Sequence, residues 1–159
     1  MSSILSRTIV ALACAIAAGM TPVMAQTTQP YTPEDQRDGT FKSVRGDVTV
    51  VRGDTRVAAI VGGPLFATDR IQTGPDGAMA VTLKDRSVLT LGPNSTADLS
   101  AFDFNPTTQD GNMMVRLLRG AARVTTGLIA KVRPEQVKVT TPTAVIGVRG
   151  TDFIVEVNQ

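Results

Sequence analysis

Apolar and polar residues alternate along short runs in most of this chain after residue 40. The clearest run is 79–84, in which Met79, Val81 and Leu83 face one way. A period of two residues predicts a half-buried β-strand. Similar runs, bounded by Gly, Pro or Asp, lie at 41–44, 48–52, 57–61, 70–73, 87–91, 113–118, 121–125, 144–148 and 153–157, and Val137 and Val139 lead into another turn.

Turn signals between these runs recur about every 8–12 residues, which is typical of an all-β domain. No window shows a sustained apolar period of 3.6 residues. Strand–turn–strand units of similar length favour a short β-roll or a solenoid-like stack of strands, with a β-sandwich as the alternative. Residues 98–112 form the longest polar stretch and are predicted to be a surface loop, and Arg119-Gly120 is predicted to be a turn.

The first 25 residues have the features of a secretory signal peptide. Arg7 precedes an apolar core at 8–20, which is too short for a membrane-spanning helix, and Val23-Met24-Ala25 fits a small-x-small cleavage site. Export predicts a periplasmic protein, with an extracellular location as the alternative. An uncleaved anchor and lipidation of Cys14 remain open. Residues 26–39 read as a flexible linker and 40–159 as the β domain.

Composition excludes several function classes. The chain has no histidine and one cysteine, so His-based catalytic triads, His metal sites and internal disulfides are ruled out. A formal net charge of +2 is too balanced for a nucleic-acid-binding surface. No phosphate-binding loop, dinucleotide fingerprint or nucleophile elbow occurs. We therefore expect that the protein is not an enzyme, that it binds no cofactor, metal or nucleic acid, and that no segment after residue 25 spans a membrane.

A basic stretch invites two interpretations. Solvent-facing positions of alternating strands explain it most simply, and contact with an anionic polysaccharide of the envelope is the alternative. The stretch comprises Arg116, Arg119, Arg123, Lys131 and Arg133.

Three segments together resemble the FecR domain family, which is named for the iron-dicitrate sensor. The first is DRIQTG at 69–74, followed by the alternating run and Asp85-x-Ser87. The second is LGPNS at 91–95, and the third is TPTAVIGVRGTDFIVEV at 141–157. The family often has Asp-Gly-Ser where this chain has Asp85-Arg86-Ser87. Because arginine is strained at positive φ, that turn is expected to differ here.

The resemblance marks eight residues as structural or interaction positions: Asp69, Gly74, Asp85, Thr141, Pro142, Arg149, Gly150 and Thr151. Gly74 and Gly77 would supply positive φ at a corner. Pro142 would hold Thr141 extended. Arg149 and Asp152 would pair across a turn at Gly150.

The resemblance implies a role in envelope signalling. Family members similar to the sensor carry a cytoplasmic anti-sigma segment and one membrane helix. This sequence shows neither, so we expect a stand-alone exported module without the transmembrane relay. The leading hypothesis is a non-enzymatic periplasmic protein-interaction module that binds another envelope protein (a transporter, sensor or secretion component), for example by β-edge pairing. The alternative is an envelope-structural or anionic-polysaccharide-binding module.

Overall fold

β-Branched and apolar residues at alternate positions form twelve strands in the part of the chain that the structure describes. The computed structural model describes residues 36–148 and 150–157. Its strands are β1 Gly39–Arg45, β2 Val48–Arg52, β3 Thr55–Ala58, β4 Pro64–Leu65, β5 Arg70–Thr73, β6 Ala78–Leu83, β7 Val88–Leu91, β8 Thr96–Phe104, β9 Gly111–Thr125, β10 Val137–Thr140, β11 Val145–Gly147 and β12 Asp152–Val157. A short helix, α1 Leu128–Val132, and a 3-10 turn, Pro134–Gln136, precede β10. The all-β prediction is confirmed.

Four segments of the chain run side by side and bend together into one curled sheet. They are β1–β2, β5–β6, β7–β8 and β9. β6 pairs antiparallel with β1 and β7, β5 pairs with β2 and β8, and β9 pairs with both β7 and β8. Each segment therefore crosses a common line of corners, at 46–47, 74–77, 92–95 and Gly120. The Gly- and Pro-containing signals at these positions bend strands and do not reverse the chain.

The corners are held by close backbone contacts. The Gly74 amide donates to the Asp47 carbonyl at 2.8 Å, and the Asn94 amide donates to the Gly74 carbonyl at 2.9 Å. Neither Gly74 nor Gly77 has a φ in the left-handed region, so the predicted reason for these glycines was wrong. At Gly77 the reason is space, because a Cβ would collide with the Asp47 carbonyl oxygen.

One face of the curled sheet is buried on both sides of the corners and forms the core. Alternate residues of every segment contribute to it, among them Val81, Leu91, Leu99 and Val115, all fully buried. In β9 the buried positions change from odd to even numbers between Leu117 and Ala122. The bend at Gly120, whose φ is +82°, accommodates this change.

Two expectations about the middle of the chain were wrong. Most of the predicted loop 98–112 belongs to β8 and β9, and only 105–110 connects them. Its polar residues misled the prediction because they lie on the outer face, where Arg70 donates to Asp98 at 2.6 Å. Arg119-Gly120 is likewise a bend within β9 and not a turn, and a Cβ at Gly120 would collide with Ser95.

β9 carries further strands on its second side. β10 runs parallel to its first half, β11 pairs antiparallel with β10, and β12 runs antiparallel to its second half. At the other end of the sheet lie β3, which pairs with β2, and β4, which pairs with β1.

Candidate functional site

The segment 141–157, the longest of the three family-like motifs, forms an unfinished border of the sheet. Within the described residues, β11 pairs only with β10 and β12 pairs only with β9. We call these two strands the open edge. A groove of about 290 Å³ lies between them, with Ile146, Val148, Phe153 and Val155 among its lining residues. Unsatisfied strand borders beside an apolar groove are the features to which an extended peptide adds.

Hydrogen bonds that flank β11 show which of its backbone groups face outward. The Thr141 amide donates to the Ala144 carbonyl at 2.8 Å, and the Val148 amide donates to the Val137 carbonyl at 3.4 Å. Since hydrogen-bonded pairs alternate in an antiparallel ladder, Ile146 faces β10, and the backbone groups of Val145 and Gly147 face away from it. β11 therefore offers two outward-facing residues.

The same reasoning shows which backbone groups of β12 face outward. The Thr126 amide donates to the Thr151 carbonyl at 2.9 Å, which makes this pair hydrogen-bonded. By alternation, Phe153 and Val155 bond to β9, while the backbone groups of Asp152, Ile154 and Glu156 point outward. β12 thus exposes the longer of the two free borders.

Two apolar side chains stand in solvent at the open edge. Val145 is 73% exposed and Ile154 is 69% exposed. Charged residues flank Ile154 on the same strand. Asp152 accepts a hydrogen bond from Arg123 Nε at 2.9 Å, and this contact lowers the pKa of the Asp152 carboxyl. Glu156 is exposed and forms no ion pair with any residue of 36–148 or 150–157.

The other predicted positions of this motif lie in its turns. Thr141 Oγ1 accepts a hydrogen bond from the Ala144 amide at 3.0 Å and so closes the β10–β11 turn, in which Pro142 is exposed. Thr126 binds the carbonyls of Gly150 and Thr151. Arg149 lies outside the described residues, so its pairing with Asp152 remains a prediction. Asp152 itself pairs with Arg123, a partner that the sequence did not reveal.

Asp69 is a buried anchor remote from the open edge. Its carboxylate accepts hydrogen bonds from Arg52 Nε at 2.8 Å, Arg52 Nη2 at 2.7 Å and the Phe66 amide at 2.9 Å. Arg52 also stacks on the Phe66 ring, 4.2 Å from its centroid, and its hydrogen bond to Asp69 raises the pKa of the guanidinium. The arrangement ties β2 to the turn before β5, which is a structural role.

Asp85 anchors a second turn. Its carboxylate accepts hydrogen bonds from the Ser87 amide at 2.9 Å and the Ser87 hydroxyl at 2.6 Å, and Ser87 Oγ accepts one from the Gly127 amide at 2.9 Å. The turn therefore holds the start of α1. Arg86 between them has a φ of +68°. Arg86 therefore adopts the left-handed conformation in which arginine is expected to be strained, and a difference from the family's turn stays a prediction.

The basic stretch is exposed, as predicted. Arg116, Arg119 and Arg123 occupy solvent-facing positions of β9, and Lys131 and Arg133 follow in and after α1. Arg123 pairs with Asp152, and Arg133 pairs with Asp110 at 3.2 Å. Two of the five charges are thus neutralised within the chain.

Within 36–148 and 150–157, no group of three or more Asp, Glu, His or Cys side chains could hold a metal ion. A polar depression of about 390 Å³ opens beside the β8–β9 loop, where Asp110 is already paired with Arg133. In the same part of the chain, no helix has the length and apolar content to cross a bilayer.

A second exposed apolar patch, which the sequence pattern did not predict, lies at residues 57–61. Val57, Ile60 and Val61 are 45%, 66% and 64% exposed. The sequence prediction placed all of 57–61 in a strand, whereas β3 ends at Ala58 and the rest crosses toward β4. The loop is fixed by backbone hydrogen bonds to Phe41, and β3 itself pairs only with β2 among the described residues.

The fold defines the class of this protein: an all-β module in which buried carboxylates brace turns and in which β11 and β12 each pair with a single strand among the described residues. A model of the FecR protein family matches residues 69–159, more than half of the chain, and the chain belongs to the FecR family. The match begins at Asp69, so β1–β4 precede it. No curated protein and no solved structure matches the chain. FecR domains are regulatory modules of envelope signalling associated with the extracytoplasmic side.

Proposed function

We propose that this chain is a non-enzymatic periplasmic module that binds another envelope protein through its open edge. The observation that carries the proposal is the pair of free strand borders, β11 and β12, beside an apolar groove. Exported as predicted, the domain would meet a transporter, a sensor or a secretion component. Family membership supports a regulatory role in envelope signalling.

The arrangement of charge supports a protein partner over an anionic polymer. The basic side chains are spread over β9, α1 and the residue after it, and two of them are neutralised by aspartates. A polymer-binding surface would need several unpaired charges on one face, and its binding would weaken with salt. Backbone pairing at an edge strand depends much less on ionic strength.

The test is site-specific photocrosslinking in cells. A photoreactive residue replaces Ile154 at the open edge or, as the matched control, exposed Lys42 on β1. We expect a discrete crosslinked protein from position 154 in the periplasmic fraction, and none from position 42. The crosslink should persist in high salt.

Two further variants connect the crosslink to strand pairing. Val145→Pro removes an outward amide and should leave the β10–β11 ladder intact, whereas Ile146→Pro should break that ladder. Equal crosslinking from positions 154 and 42 would contradict the proposal. So would retention of the domain only on cell-wall polysaccharide, with strong salt dependence.

A further inference from the structure

We propose that the outer border of β12 receives an antiparallel strand of a different protein, which places an apolar residue opposite Ile154 and a basic residue opposite Glu156. This inference rests on the proposed function and specifies the partner's chemistry. β12 presents three outward residues, Asp152, Ile154 and Glu156, over a strand of six residues. β11, with three residues, is too short to set a register by itself.

The apolar part of the preference comes from Ile154. It is 69% exposed although it lies in the middle of a strand. An antiparallel neighbour would place its own side chain about 4.5–5.5 Å from that of Ile154. A β-branched or other apolar residue there would remove both side chains from water.

The basic part comes from an imbalance of charge along β12. Asp152 forms an ion pair with Arg123 of β9, which lies one strand inward, and because both side chains stay exposed this pair offsets the carboxylate's charge only in part. Glu156 faces Ala121 across the β9–β12 pair and is left without an ion pair among the described residues. A Lys or Arg on the incoming strand would supply the missing charge, because oppositely charged residues directly across a sheet attract.

The same charges oppose a second copy of this chain as the occupant. Two β12 strands related by a two-fold axis would pair antiparallel about Ile154. Asp152 of each copy would then face Glu156 of the other, which places like charges opposite each other at both ends of the pair. Like charges in this position destabilise a sheet, so β12 is protected from self-pairing and open to a basic strand.

The first measurement uses two labelled peptides of the length of β12, one with lysine and one with glutamate on either side of a central isoleucine. In amide NMR titrations of the domain, we expect the lysine peptide to bind about threefold to tenfold more tightly. Its binding should shift the amides of Asp152, Ile154 and Glu156. Glu156→Lys should abolish or reverse the preference. The control, Glu135→Lys, makes the same charge change at an exposed residue of the 3-10 turn and should leave the preference unchanged.

The second measurement follows self-association by sedimentation velocity. Glu156→Lys would place the introduced lysine opposite Asp152 in the two-fold pair, so this variant should dimerise more strongly than the wild type. Adding Ile154→Pro should return it to the monomer, because this residue supplies an outward amide.

The outcomes separate this inference from the proposed function. Equal binding of both peptides, lost on Ile154→Pro, would overturn the charge preference and leave edge binding in place. Failure of both peptides to bind, or a wild-type dimer formed through β12, would overturn the inference itself. Absence of any crosslink from position 154 in cells would overturn the proposed function as well.

Discussion

Replacing Arg86 by glycine should stabilise the domain, because Arg86 holds a conformation that glycine adopts with less strain. Arg86 has a φ of +68° in the loop between β6 and β7. Its amide donates to the Leu83 carbonyl at 2.9 Å, and the Leu83 amide donates to the Ser87 carbonyl at 2.8 Å. This is the three-residue hairpin loop in which the last position is left-handed and favours glycine.

The size of the effect follows from two opposing terms. A left-handed backbone costs a non-glycine residue about 1–2 kcal/mol. Glycine loses more conformational freedom on folding than arginine, which reduces the gain in stability by about 0.5–1 kcal/mol. Arg86→Gly should therefore raise the free energy of unfolding by about 0.5–1 kcal/mol. For a domain of this size the melting temperature should rise by about 2–4 °C.

The assay is thermal and urea unfolding of the domain, with two controls. Arg86→Ala removes the same side chain but keeps a Cβ at positive φ, so it should not show the gain. Gly53→Ala makes the reverse change in the β2–β3 turn, where φ is +55° and no atom lies within 4 Å of the added Cβ. It should lower stability by about the amount that Arg86→Gly adds.

Three results would distinguish the explanations. If Arg86→Gly and Arg86→Ala both destabilise the domain, contacts of the arginine side chain outweigh the backbone strain and the reasoning is refuted. If neither Arg86→Gly nor Gly53→Ala changes the free energy of unfolding, left-handed strain is too small in these turns to matter. A gain with glycine alone confirms the backbone explanation.

Two other predictions concern ion pairs. Asp69→Ala should lower the free energy of unfolding by about 2–3 kcal/mol in urea, because it leaves the Phe66 amide and the Arg52 guanidinium without their acceptor, whereas Asp54→Ala at an exposed turn should change it little. In NMR titrations the pKa of Asp152 should lie below the ordinary aspartate value and rise toward it in Arg123→Gln. Because the folded pKa is lowered, the ion pair contributes stability at pH values above the ordinary pKa, and this stability is lost as the pH falls through the lowered pKa. An unchanged pKa of Asp152 in Arg123→Gln would show that Arg123 is not the cause.

Most strands could be predicted because side chains on one face of a half-buried strand must be apolar. The runs at 48–52 and 70–73 coincide with β2 and β5. What alternation could not predict was the direction of the chain at each Gly or Pro signal. Gly53-Asp54 reverses the chain, whereas Gly46-Asp47 and Gly120 bend a strand and let it continue. Those outcomes depend on contacts with corners about 20–30 residues away in sequence, such as that of Gly120 with Ser95 and of Gly74 with Asp47.

In the candidate site, too, the sequence predicted some features and could not predict others. The sequence motifs led to Asp69 and Asp85, and both are buried residues that brace turns. A family-like motif identifies positions that the fold requires, and a buried carboxylate with a full set of donors is such a position. The partner of Asp152 could not be predicted, because Arg123 lies 29 residues earlier and is brought beside it only by the β9–β12 pairing.

The open edge carried one signal in the sequence that periodicity alone overlooks. Phe153, Ile154 and Val155 are consecutive apolar residues, so one of them must leave the buried face, and Ile154 does. In an interior strand, an outward apolar residue can be covered by neighbours on both sides. At a border it stays in water unless another strand arrives. The acidic residues on either side of Ile154 then limit which strand can arrive, because they repel a copy of themselves. An exposed apolar residue between like charges at a strand border is therefore a more informative mark of an interaction surface than the motif's buried positions.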